Sequence, residues 1–217
     1  MGDTMVSSKV LQYLDSIVTE VNTKHIDGAI VECGVWKGGA VAAMMVTQKK
    51  YNMNREFYLY DTFEGMTAPV SPKDDPKALT LYNDISAGKY ARDYDKWHNM
   101  NKWAYAPLNF VKANIAMTGY TDTKIHYVKG DVLTTLDNVK PASISIAHLD
   151  TDWYDSTAKE LSTLYPLVSS GGYIVVDDYY AWKGSKVATD EFLAINKDNV
   201  QKIDVNMSGP VLAFKKL

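Results

Sequence analysis

Five short runs rich in β-branched and aromatic residues, Ala29–Cys33, Phe57–Tyr60, Ile125–Val128, Ile144–Leu149 and Tyr173–Val176, most constrain what this chain can become. They are nearly continuous in apolar character rather than alternating, as in strands buried on both faces of a sheet. Most are separated by stretches with helical spacing, so the chain predicts an α/β fold with a doubly wound, mostly parallel, Rossmann-like sheet. Helices are expected at Gly39–Lys50, just after Asp131, at Thr157–Leu164 with Thr157 and Glu160 as a capping box before Pro166, and at Lys186–Ile195. Val10, Leu11, Leu14, Ile17, Val18 and Val21 put one apolar face on an N-terminal helix. At the other end, Val200–Val205 and Val211–Lys215 read as a hairpin joined through Asn206–Pro210.

The 217 residues suit a single domain spanning 1–217, and 46% hydrophobic residues supply a core without a stabilising metal or disulfide. One stretch breaks the strand–helix rhythm: 64–121 is too long for an ordinary crossover. Tyr82, Tyr90, Tyr94, Trp97, Trp103, Tyr105, Phe110 and Tyr120 all fall inside it, an aromatic density that suits an inserted lid or acceptor wall, or equally a small subdomain core or dimer contact. With 23 basic and 26 acidic residues the net charge is −3, which disfavours a general nucleic-acid binder. The single cysteine, Cys33, excludes an internal disulfide and a thiolate zinc site. The sequence shows neither a membrane span nor a signal segment, and a cytoplasmic protein is expected.

Acids recur where the strands end. Glu32 closes the first run and leads into Gly34, Gly38 and Gly39, a turn without the G-x-G-x-x-G spacing or phosphate-loop lysine that a diphosphate needs. Asp61 follows the second run, where a carboxylate can take both hydroxyls of a ribose, and Asp131 follows the third, where it can accept from an adenine amine. Each is also a plausible helix cap or turn former. After the fourth and fifth runs come Asp150-Thr151-Asp152 and Asp177-Asp178, and parallel neighbours would gather Asp150, Asp177 and Asp178 at one edge. Clustered carboxylates repel unless they share a proton or a cation, and an all-oxygen set suits Mg2+. Capping by Asp152 or Asp155 is the plain alternative. Neither a nucleophile elbow nor a paired-histidine metal motif is present. Cys33, Met44 and Met45 fit core packing, and Lys186 a solvated helix start, better than chemistry.

Val31–Gly39, Asp61–Met66, Leu149–Thr157, Leu161–Asp178 and Trp182–Phe192, in this order and spacing, resemble the macrocin O-methyltransferase family of TylF and MycF type. The resemblance runs from about Ile30 to Phe192, except for the middle of the insertion. It implies a class I methyltransferase fold with seven strands, the last antiparallel, using S-adenosylmethionine and Mg2+ to methylate a sugar or polyol hydroxyl. By the same resemblance Glu32 and Gly34 would meet the methionine part of the cofactor, Asp61 with Thr62 the ribose, and Asp131 with Val132 the adenine. Asp150, Asp177 and Asp178 would hold the metal, Asp150 or Asp152 would take the proton, and the protein would be a homo-oligomer. His148 and Thr151 stand where the family often has Arg and Gly. A catechol-like acceptor, or a cofactor-binding protein without catalysis, are the competing readings.

Overall fold

The computed structural model describes residues 4–89, 102–203 and 211–217. Tyr90, Tyr94, Trp97 and the expected Asn206–Pro210 turn lie outside the described residues.

Seven strands form one sheet: β1 (Ala29–Cys33), β2 (Phe57–Asp61), β3 (Ile125–Lys129), β4 (Ile144–Leu149), β5 (Val168–Val176), β6 (Val200–Ile203) and β7 (Leu212–Lys216). Their order is β3-β2-β1-β4-β5-β7-β6, with β1 to β5 parallel and β7 antiparallel to both β5 and β6. This is the class I topology, including the closing antiparallel hairpin.

Helices cover both faces: α1 (Ser8–Thr23), α2 (Gly39–Lys50), α3 (Pro76–Ser86), α4 (Leu108–Ala116), α5 (Val132–Asn138), α6 (Tyr154–Leu164) and α7 (Lys183–Asn196). Because successive strand residues point to opposite faces, Ile30 and Ile146 join Leu14, Val18, Met44 and Met45 on one side. Val31 and Ala147 join Leu136, Leu161 and Leu164 on the other. Met44 and Met45 are core residues, and Cys33 is a buried free thiol. Within 64–121, α4 adds Val111 and Ile115 to the first of these layers. Among the described residues no helix is long and apolar enough to cross a membrane.

Two local expectations need correction. α6 begins at Tyr154 rather than Thr157, and Glu160 accepts from Thr151 Oγ1 at 2.9 Å instead of closing a capping box. Its first turn is satisfied from far along the chain, because Tyr154 N donates to Asp74 Oδ1 at 2.8 Å. β5 starts at Val168, so Gly171 and Gly172 lie inside the strand; the β4–β5 register shifts between Ile144 and Ile146, which accommodates them.

Candidate active site

The ladder itself places the acids. Gly34 N donates to Tyr60 O at 2.9 Å, Gly130 N to Asp61 O at 2.9 Å, Asp150 N to Cys33 O at 2.8 Å and Asp177 N to Leu149 O at 2.9 Å. Each strand therefore hands its first post-strand residue to its neighbour, and the acids line up along the carboxyl edge. Ligands of open α/β sheets bind at such an edge. Here it carries a cavity of about 320 Å3 bordered by Gly34, Asp61, Thr62, Asp131, Val132, Asp150, Asp152, Asp177 and Asp178.

Gly34 has φ 83, and a side chain there would overlap the Asp150 carbonyl oxygen. Asp61 accepts from Val35 N (2.8 Å) and Trp36 N (2.9 Å) through Oδ2 and from Phe63 N (2.6 Å) through Oδ1, joining the loops after β1 and β2. Burial raises its pKa, against the lowering by these three N–H groups. Thr62 donates to Gly65 O. Asp131 caps α5 by accepting from Leu133 N at 2.9 Å, so the capping alternative is realised there while the residue still borders the cavity with Val132.

Asp150, Asp177 and Asp178 each present a carboxylate oxygen, all within 4.8 Å of one another. Asp177 Oδ1 and Asp178 Oδ2 are buried with no hydrogen-bond partner. Burial, then mutual repulsion, pushes Asp150 and Asp178 well above the usual carboxylate range. Asp152, in a left-handed conformation at φ 66, is pushed up to about 7, chiefly by burial. An orphaned all-oxygen cluster of this kind fits a hard divalent cation.

Glu32 is not on the cavity wall. It is 1% exposed, and its Oε1 lies 2.8 Å from His148 Nδ1, behind Gly34. Burial alone lowers the His148 pKa, but Asp177 and Glu32 together hold it well above the usual imidazole value. Lys186 pairs with Asp190 and Tyr179, away from the acidic cluster.

All four described tryptophans, Trp36, Trp103, Trp153 and Trp182, border the cavity. Trp103, Trp153 and Trp182 meet edge to face with ring centroids 5.2 to 5.8 Å apart, and Trp153 Nε1 donates to Thr67 O at 2.9 Å. Sequence reasoning had assigned no role to Trp36, Trp153 or Trp182. The available signal was that each follows shortly after the end of β1, β4 or β5. Met5 and Asp74 were also missed. Met5 reaches the cavity from before α1. Asp74, 6% exposed, is packed against Gly184 in α7 as well as bonded to α6.

Glu160, fully buried between Thr151 and Cys33, has its pKa raised to about 8, mainly by desolvation. The folded protein then keeps a proton that the unfolded chain loses near its ordinary value. Stability should fall by at most about 1.4 kcal/mol per pH unit between those two values. Glu160→Gln, which mimics the protonated acid, is expected to flatten that slope in thermal melts between pH 5 and about 8. An unchanged slope would mean that Glu160 is ionised in the fold.

Comparison with known proteins agrees with this architecture. Residues 1–209 match the family described as macrocin-O-methyltransferase (TylF). The chain is 30% identical over 181 residues to the 8-demethyl-8-(2,3-dimethoxy-alpha-L-rhamnosyl)-tetracenomycin-C 4'-O-methyltransferase of Streptomyces olivaceus, covering 82% of this chain and 63% of that protein. It is 28% identical over 193 residues to the demethyldecarbamoylnovobiocin O-methyltransferase of Streptomyces niveus, covering 88% and 68%. The chain thus spans just under two thirds of the first relative's length. The solved O-methyltransferase NovP superposes with a TM-score of 0.83 at 25% identity, over 99% of this chain and 82% of that one.

Proposed function

Because the chain belongs to the macrocin O-methyltransferase family, we propose that it transfers a methyl group from S-adenosylmethionine to a hydroxyl of a sugar on a glycosylated natural product, with Mg2+. The observation that carries this reading is the cavity at the carboxyl edge of the sheet, with three carboxylates converging within 4.8 Å on its border. The name of the Streptomyces olivaceus relative, an O-methyltransferase of a rhamnosyl compound, points the same way.

Gly34, Asp61, Thr62, Asp131 and Val132 would line the cofactor, with Glu32 buried off the cavity wall against His148. Asp150, Asp177 and Asp178 would hold the cation. Together the two groups supply an electrophilic methyl and a Lewis acid that makes a neutral hydroxyl easier to deprotonate. The protein's own part is alignment, proton removal and exclusion of water. Asp152 borders the same cavity but stands outside the three-carboxylate group, which leaves it available as proton acceptor; Asp150 is its rival. The tryptophan wall, with Gly65, Met66 and Thr67 from the 64–121 insertion, would cover the acceptor. A cytoplasmic homo-oligomer acting on a small molecule completes the reading.

The test is mass spectrometry for methyl addition on a panel of glycosides and catechols, with and without Mg2+. Methylation confined to catechols would overturn the sugar assignment, and none on any acceptor would favour a noncatalytic protein. If the wall contacts the acceptor, Trp103→Ala should raise the acceptor KM by about 3- to 10-fold, as expected for loss of one aromatic contact, while cofactor affinity stays level. An unchanged KM would make Trp103 a packing residue only.

A further inference from the structure

Behind the three carboxylates runs a second layer of polar groups. Glu32 in β1 and His148 in β4 are register partners, and they meet through Glu32 Oε1 and His148 Nδ1 at 2.8 Å. On the other side of the ring, His148 Nε2 faces Asp177 Oδ1 at 3.7 Å, an ion-pair separation rather than a hydrogen bond. Neither Nε2 nor Oδ1 has a hydrogen-bond partner, and both are buried. Two buried, unpartnered polar atoms that face each other call for a structural reason.

We propose that His148, anchored by Glu32, is the positioning residue for Asp177 in a divalent-cation site. This rests on the metal reading above. A carboxylate that gives one oxygen to a cation needs its other oxygen fixed, or it rotates away; loss of an outer partner of this type typically costs about 10- to 100-fold in metal affinity. Asp177 Oδ1 has no other donor among the described residues. Glu32 holds the ring through Nδ1 and so fixes the direction in which Nε2 faces Asp177. The four groups that face the ring or act on it through space are Glu32 from β1, Asp177 after β5, Asp150 after β4 and Glu160 from α6.

The experiment measures Mn2+ binding directly, by calorimetry or electron paramagnetic resonance, on the full chain without acceptor. Thermal melting and S-adenosylmethionine binding serve as controls for folding. His148→Asn keeps an amide where Nδ1 meets Glu32 but nothing toward Asp177, whereas His148→Gln places an amide nitrogen where Nε2 was. His148→Asn is expected to weaken Mn2+ binding about 10- to 100-fold, with His148→Gln recovering most of it. Equal or tighter binding by His148→Asn, or equal loss in both variants, would overturn the proposal. Should His148→Asn not fold, Glu32→Ala reads the same contact: it removes the anchor that holds Nδ1, so it should weaken Mn2+ in the same direction, and unchanged affinity would refute the role. Failure of the unaltered protein to bind Mn2+ would instead remove the metal reading itself, and this inference with it.

Discussion

Asp178→Ala is expected to lower methyl transfer by about a thousandfold, since a divalent cation contributes several kcal/mol of charge stabilisation and each 1.4 kcal/mol is a factor of ten. Asp178 is 7% exposed, and its carboxylate belongs to the group that converges within 4.8 Å. On the proposed metal site, removing one of the three carboxylates would leave a set too sparse to dehydrate a hard cation. Chelation by EDTA should have the same effect on the unaltered protein, and Asp177→Ala should follow. The fold should survive each treatment, because deleting a buried, repelled carboxylate removes a cost rather than a support. Full turnover in EDTA, or in Asp178→Ala, would end the metal-dependent mechanism. A collapse of the thermal transition in Asp178→Ala would show that the residue is structural first.

Gly34→Ala should damage the protein as a whole. Gly34 lies in the left-handed region, and an added methyl would overlap the carbonyl of Asp150, a backbone atom with no side-chain freedom to move aside. Left-handed strain of about 1–2 kcal/mol and overpacking of about 1–3 kcal/mol together predict a loss of about 2–5 kcal/mol. Gly38→Ala is the internal comparison. Its φ is also positive, at 85, but the atoms nearest a methyl there are side-chain carbons, of Ile115 at 3.2 and 3.3 Å and Val111 at 3.4 Å, which need to shift by only a few tenths of an ångström. That substitution should cost the strain with little overpacking. Chemical denaturation of the two variants checks the contrast. If Gly34→Ala is no worse than Gly38→Ala, the close approach of β1 to the Asp150 turn is not what fixes the site.

The sheet and its acids were legible because their signals are local. A run such as Ile144–Leu149 announces a strand by composition, and the residue after it lands at the carboxyl edge once the strands are parallel. Asp150 and Asp177 become neighbours because Leu149 pairs with Val176. The start of α6 was not legible for the opposite reason. Thr157 and Glu160 have the spacing of a capping box, but the helix is capped by Asp74, eighty residues earlier. Glu32 shows the same limit in the site: its place at a strand end suggested a cofactor contact, and only the pairing of β1 with β4 reveals that it bonds to His148. Trp103, Trp153 and Trp182 come from three separate segments, and no spacing rule joins them.

Asp74 has a mechanical consequence. Its carboxylate bonds to the first turn of α6 and presses against Gly184 in the first turn of α7, while Trp153 Nε1 grips Thr67 O and Lys73 reaches Glu191 and Tyr154. The segment from Thr67 to Asp74 is therefore bolted to both helices at several points rather than hung from its two ends. Opening this side by a loop swing would strand a buried carboxylate away from its N–H donor. Opening on this side would need the segment to move together with both helix starts, so stiffness in α6 and α7 would be felt as a slower exchange of molecules at the cavity.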